Sequence, residues 1–283
     1  MKHFCLIVLC VLTMSCSKTA DIRVGSYNIR MSGMDKASAD NNWDVRKGRL
    51  WKSIEDCCFD VFGLQEVSSE SQTDLKDRFG KSYGMYFFSP YSQDGVGDKA
   101  QGIMYRNDVF TITDIHNFWI GPDPHMMSSS DVGKTGHAYN RGGFCCILTH
   151  KKSGLKLFFM NMHGCLNEEA KVQYAKVFEQ MEILYNKEGH PSVFVGDFNV
   201  RPDHQLYEII AGYWKDSFLT ANVREGVENT FNAWKHAEGE RRIDFILYRG
   251  NAEPLLYCCD NTLYDGLYPS DHFPLYTDFR IGR

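Results

Sequence analysis

The chain has 283 residues, 43% of them hydrophobic and 24% charged, with a formal net charge of −5 at neutral pH. That size and apolar content suit one large α/β domain with a sizeable core and exclude an intrinsically disordered chain. The acidic balance argues against a protein that holds duplex nucleic acid by neutralising phosphates, and says little about an enzyme that grips a single phosphate.

The first twenty residues stand apart. Lys2 precedes an apolar stretch, Phe4 to Met14, too short to span a bilayer, and Ser15-Cys16-Ser17 comes next. This resembles a bacterial lipoprotein signal cleaved before Cys16, although Thr13 stands where such signals usually carry Leu, and Leu12 is one place early. The resemblance implies export, as a periplasmic protein or one anchored to the outer membrane or cell surface through a lipid on Cys16. Residues 1–20 then form a leader and short tether, and residues 21–283 one domain.

Strand-like segments occur in the order "IRVGSYNI", "DVFGLQE", "GMYFFS", "AQGIMYR", "GFCCILTH", "LKLFFMNMH", "SVFVGDF", "RIDFILY" and "HFPLYTDF". Helices are expected around Asp44–Asp56 and Ser71–Phe79. The strongest helical pattern runs from Asn167 to about Lys187, with Asn167 as cap, Glu168 and Glu169 in the first turn, and Gly189 and Pro191 as terminators. "FWIGPDPHMM", Phe118–Met127, reads as a loop beside the functional rim, where Trp119 either contacts substrate or packs. Seven cysteines lie beyond Cys16, as the doublets Cys57-Cys58, Cys145-Cys146 and Cys258-Cys259 plus Cys165. Neighbours on a strand face opposite ways, so a doublet is a poor chelate, and small core residues are the default reading. Many strands with few helices suggest two packed mixed sheets with helices outside.

Several strands end on polar residues: Asn28, Glu66, His163, then Asp197 and Asn199. Asp244 opens another strand, and Asp271 and His272 precede the last. Singly, each has an ordinary explanation. Asn28 and Asp197 suit turns, Glu66 favours a helix start, His163 suits a core, Asp244 a strand start, and Asp271 a cap. Together they suggest polar ends converging on one rim. Glu66 and Asn28 offer the oxygen ligands that a hard cation such as Mg²⁺, or Mn²⁺, prefers. Asp197 and Asn199 would hold a water or second cation. His272 would act on a phosphate oxygen, oriented by Asp244 rather than by its neighbour Asp271. The chemistry expected is metal-assisted hydrolysis of a phosphate ester.

"SYNIR", "GLQEV", "NMH", "GDFN", "RIDFIL" and "YPSDHFPL" occur in the order found in the endonuclease/exonuclease/phosphatase superfamily, and the chain resembles that group from about Arg23 to Arg280. The resemblance implies a four-layer α/β/β/α sandwich. It also implies metal binding at Asn28 and Glu66 with Asp271 nearby. His163 and Asn199 would contact the scissile phosphate, Asp197 would activate water, and Asp244 would support the catalytic His272. It leaves the substrate open among nucleic acid, phospholipid or sphingolipid head groups, and inositol or sugar phosphates, with an inactive phospho-ligand-binding protein as the alternative. Relatives often read "THLD" where this chain has "NMHGC", so Gly164 and Cys165 replace a large apolar residue and an Asp. Arg141, in "YNRGGF", is expected to clamp a phosphate or form a surface salt bridge.

Overall fold

The computed structural model describes residues 18–129, 131–132, 138–235 and 241–282. Cys16, with the rest of residues 1–17, lies outside the described residues, whereas Thr19 and Ala20, read above as tether, already pair with Gly282 and Ile281 in the first strand.

In chain order the first half comprises β1 (Thr19–Asn28), α1 (Trp43–Cys57), β2 (Val61–Val67), α2 (Ser69–Phe79), β3 (Tyr83–Phe88), β4 (Ala100–Arg106) and β5 (Phe110–Trp119). Next come β6 (Asp131–Val132), β7 (Ala138–Tyr139), β8 (Gly142–His150), β9 (Lys156–His163), α3 (Glu168–Gln173), α4 (Val177–Tyr185) and β10 (Ser192–Asp197). The remainder is α5 (Gln205–Ala211), β11 (Lys215–Asp216), α6 (Ser217–Thr220), β12 (Val223–Gly226), β13 (Asp244–Arg249), β14 (Ala252–Cys259) and β15 (Leu275–Gly282).

Two mixed sheets pack face to face, one ordered β12-β14-β15-β1-β2-β4-β3 and the other β11-β13-β10-β9-β8-β5. Val24, Val61, Ile103, Phe144, Phe159, Val195, Ile246 and Phe279 fill the space between them. Helices α1 and α2 cover the outer face of the first sheet through Trp43, Leu50, Ile54 and Leu75. Helices α3 to α5 cover the second through Ala170, Phe178, Met181 and Leu206. The result is the four-layer α/β/β/α sandwich.

Each sheet has a parallel pair at its centre, β1 with β2 and β9 with β10. The polar C-terminal residues of all four strands therefore emerge at one edge. Antiparallel β13 brings Asp244 opposite Asp197. Under the rim a buried amide network joins the sheets: Gln65 Nε2 donates to Asn161 Oδ1 at 2.7 Å, and Asn161 Nδ2 donates to the carbonyls of Leu64 and Gly102. The buried guanidinium of Arg46, on α1, donates to the carbonyls of Ile29, Arg30 and Pro269. It thus ties the end of β1 to the loop before His272.

The expected Asn167–Lys187 helix is two helices. Asn167 does cap the first, accepting from Ala170 N–H. Between them, Ala175 N–H bonds Val172 O and Val177 N–H bonds Tyr174 O, three-residue spacings that overwind the chain and interrupt the helix. Phe118 and Trp119 belong to β5 rather than to a loop, and the chain leaves the strand only at Ile120. The cysteine doublets straddle layers: Cys146 and Cys259 face the inter-sheet core and Cys145 the outer face of the second sheet. Cys57 is buried under α1, while Cys58 is exposed as the left-handed cap of that helix.

Candidate functional site

The rim is built on unusual backbone. Glu66 has φ of 59° at a bulge in β2, where the pairing with β4 slips between Leu64 and Val67. Arg30 (57°) and Asn199 (54°) are also left-handed. Such conformations cost about 1–3 kcal/mol each and persist where surrounding structure enforces them. Here they turn Glu66 toward Asn28, Arg30 toward Asp271 and the Asn199 backbone N–H toward Asp197, and the polar groups of the rim gather around one carboxylate.

That carboxylate is Asp197. Its Oδ1 accepts from the Asn199 backbone N–H at 2.9 Å. Its Oδ2 accepts from Asn28 Nδ2 at 3.0 Å and lies 3.5 Å from His163 Nε2 and 3.7 Å from His272 Nε2. His272 Nδ1 sits 2.9 Å from Asp244 Oδ2, so the carboxylate fixes the ring as expected. Phe231 packs edge-on against that ring at 4.8 Å.

The protonation pattern arises from burial and charge. Burial, reinforced by Asp244, lifts Asp197 to about 7. Burial opposes charge on His272, but Asp244, Asp197 and Asp271 outweigh it and raise the imidazole to about 10. Burial, Arg141 and the charge on His272 together push His163 well below the usual histidine range. One rim histidine is thus a cation and the other neutral, and the 3.5 Å contact of His163 with Asp197 is a polar contact rather than an ion pair.

Asn28 bridges two carboxylates, donating also to Glu66 Oε1 at 3.3 Å, while its Oδ1 accepts from Arg30 N–H. In this arrangement it positions Glu66 and Asp197, and its oxygen would face a cation only after the amide turned over. Glu66 Oε2 accepts from Met31 N–H at 3.3 Å. Asp271 lies 3.3 Å from the Arg30 guanidinium. Its carboxyl is raised chiefly by burial and further by Glu66, against the pull of His272 and Arg30.

The donor set fits a hard divalent cation. Glu66 and Asp271 supply carboxylate oxygens close enough to influence each other, and buried Asp244 Oδ1 has no hydrogen-bond partner. Asp197, Asp244 and His272 also bring one potential ligand atom each within 4.8 Å. Because His272 Nδ1 and Asp244 Oδ2 already satisfy each other, the Glu66–Asp271 side better matches a cation that prefers oxygen.

The sequence model of the Endonuclease/Exonuclease/phosphatase family matches residues 25–272. The chain belongs to this family. Members are hydrolases of phosphate esters and generally depend on a divalent metal. No curated protein sequence matches the chain. Among solved structures, it is similar to an endonuclease/exonuclease/phosphatase family protein from Bacteroides thetaiotaomicron (25% identity, TM-score 0.85, covering 94% of this chain and 96% of that one). A Bacteroides vulgatus member gives 25% identity and a TM-score of 0.82, covering 93% and 99%. A mannosyl-6-phosphatase from Bacteroides thetaiotaomicron gives 25% and 0.81, covering 91% and 99%.

The family's departures in this chain have structural counterparts. A Cβ on Gly164 would come within 2.5 Å of the Phe198 carbonyl oxygen, and Gly164 O accepts from Asn199 Nδ2 at 3.1 Å. Glycine lets the ends of β9 and β10 close together. The Asn199 amide is committed to this contact. Cys165 is buried, its thiol pushed up to about 12 mainly by desolvation. The carboxylate beside it is Asp131, which accepts from the N–H groups of Leu166 and Asn167 and from Arg141 Nε at 2.9 Å. Arg141 is buried rather than in a surface salt bridge.

Trp119 ends β5 level with the rim, paired with Gly142, which itself pairs with His163, but its side chain turns inward. It is 5% exposed, packs edge-on against Phe88 and donates its indole N–H to Pro90 O at 2.9 Å. Its side chain lies in the inter-sheet core, which is the packing role that the sequence left open beside a substrate contact. Sequence reading missed Arg30, Asp131 and Phe231. Arg30 stands inside the "SYNIR" motif and was open to notice, whereas Asp131 and Phe231 carry no local pattern.

Proposed function

We propose that the chain is an exported, Mg²⁺- or Mn²⁺-dependent phosphoesterase that hydrolyses its substrate by attack of a water molecule. The convergence of Asn28, His163 and His272 on one oxygen of Asp197 carries this reading. Asp197 is held at both oxygens, so it can accept a hydrogen bond from the attacking water in a fixed direction and take its proton. Cationic His272, locked by Asp244, is placed to donate its Nε2 proton to a phosphoryl oxygen. Neutral His163 and the Arg141 guanidinium border the same space and suit the remaining oxygens. A divalent cation held by Glu66, with Asp271 beside it, would polarise the phosphate.

A small phosphorylated sugar is the favoured substrate. Likeness to a mannosyl-6-phosphatase over nearly the whole chain supports that choice, and the net charge of −5 weighs against a nuclease. The test is turnover of hexose 6-phosphates beside bis-p-nitrophenyl phosphate and single-stranded DNA, with Mg²⁺ and with EDTA. Hydrolysis of the sugar phosphate that EDTA abolishes is expected. His272→Ala should lower kcat at least about 10²-fold, the scale of one acid–base group. Full turnover in EDTA, or in the variant, would overturn the mechanism. Phosphate binding without turnover would instead identify an inactive binding protein.

A further inference from the structure

The catalytic rim occupies one pole of the sandwich, and the chain enters at the other. β1 starts at Thr19, paired with Gly282, and ends at Asn28. At about 3.3 Å per residue, its ends are about 30 Å apart. β9 and β10 run the same way, from Lys156 and Ser192 to His163 and Asp197. Cys16 precedes Thr19 by three residues, so a lipid carried by Cys16, as the resemblance of the leader implies, would join the chain no more than about 11 Å from the start of β1.

The entry pole is basic. A broad surface depression there is lined by Lys18, His150, Lys152 and Arg280 together with Asp21 and Ser153. A second, beside it, adds Lys156, Glu188 and His190. Two of the acids are neutralised locally: Asp21 binds Arg280 through both oxygens at 2.9 Å, and Glu188 lies 3.5 Å from Lys156 and 3.2 Å from His190. Lys18, Lys151 and Lys152 are exposed and form no ion pair within 4 Å among the described residues; the Lys151 ammonium meets the Asn107 carbonyl and lies in the field of Asp108, which is itself paired with Arg106. Three lysines outside ion pairs, around the start of β1, are a local excess of positive charge on a chain of net charge −5.

We propose that the lipid-anchored protein rests this basic pole on an anionic membrane surface and directs its catalytic rim away from it. Its substrates are therefore water-soluble phosphate esters and not the phospholipid head groups of the membrane that carries it. The substrate half of the proposal rests on the phosphoesterase reading above. The physical reason is range. Attraction between lysines and an anionic surface fades within a Debye length, about 8–10 Å at physiological salt, so it acts on the entry pole and not on the rim. A head-group phosphate stays in the interface of its own bilayer, and the tether is too short to let the domain turn over onto it.

The test uses the full lipidated chain on vesicles of phosphatidylcholine with and without phosphatidylglycerol. Hydrogen exchange should show protection at the 150–155 turn and at the 280–282 strand end, greater when phosphatidylglycerol is present, and none at 28–31, 66–67 or 197–203. The variant carrying Lys18→Glu, Lys151→Glu and Lys152→Glu should lose the phosphatidylglycerol-dependent part while keeping full turnover of soluble bis-p-nitrophenyl phosphate. Protection at the rim, or indifference of the wild type to phosphatidylglycerol, would overturn the orientation. Cys16→Ser should release the protein from vesicles, and retention would overturn the assigned anchor point. Hydrolysis of vesicle phospholipid as fast as of the soluble ester would overturn the substrate half. Absence of turnover on every substrate would sink the phosphoesterase reading instead, leaving the exchange pattern to judge the orientation.

Discussion

In the proposed mechanism, Asp197 is where stability and function conflict. A carboxyl raised from 3.8 to about 7 in the fold binds a proton more tightly there than in the unfolded chain. Between those values the native state carries the extra proton, so its ionisation costs stability as pH rises from about 4 to 7. His272 adds a second slope. Its raised value means stability that is present below 6.5 and lost as pH climbs through about 10. Asp197→Asn removes the first loss. In EDTA at pH 8 it should raise Tm by about 2–6 °C, corresponding to 1–2 kcal/mol in a protein of this size, and flatten the acid side of the stability profile. The same change should lower kcat at least about 10²-fold. Scanning calorimetry across pH decides it: a variant less stable than wild type at pH 8 would mean that Asp197 is better accommodated as an anion than its burial implies. The expected pH–rate profile is a bell, falling on the acid side with Asp197 and on the alkaline side with His272.

At the level of elements, the short β6–β7 hairpin does more than its length suggests. Asp131 caps the chain entering α3 and holds Arg141, and both partners are buried. Removing one member of a buried ion pair leaves an uncompensated charge and costs about 3–5 kcal/mol. Asp131→Asn should therefore lower Tm by about 6–12 °C. It should also raise KM for a phosphate ester more than it lowers kcat, because Arg141 loses its anchor. Unchanged Tm and KM would show that Arg141 is positioned by other contacts. This hairpin also marks the limit of what the sequence discloses. Motif-bearing strands were legible because their apolar runs end in polar groups at the rim. β5 was not, because Asp114 and Asn117 interrupt it and a bulge puts Asp114 at φ of 51° on an edge strand. β14 was hidden by Pro254 at a similar irregularity. Pairings such as Asp131 with Arg141, or Phe231 against His272, arise only when loops fold back, and no periodicity records them. Trp119 misled for the related reason that an apolar residue beside prolines reads alike in a loop and at a strand end.

For the whole molecule, the rim is a seam between the two sheets. Glu66 and Asn28 belong to one, Asp197, His163 and Asp244 to the other, and Asp271 to the loop leading back to the first. Without a cation, this seam concentrates carboxylates whose repulsion is offset by Arg30, His272 and the Asn28 amide. A cation that binds only the assembled seam should stabilise the fold by mass action. At one hundred times its dissociation constant the gain is about 2.7 kcal/mol, which for this chain length corresponds to a Tm rise of about 5–10 °C. The rise should track the concentration of Mg²⁺ or Mn²⁺, disappear with EDTA, and shrink at acid pH as the carboxylates take up protons. Glu66→Ala should move the titration to much higher cation concentrations while leaving the cation-free Tm close to wild type, since Glu66 is only half-buried and the two hydrogen bonds it accepts, from Asn28 Nδ2 and Met31 N–H, are long at 3.3 Å. A Tm in the variant that still tracks Mg²⁺ as in wild type would place the cation elsewhere, on the Asp197–Asp244–His272 side of the seam. The same titration on Asp244→Asn, which keeps the size of the side chain but halves its oxygen donors, would then show the larger loss.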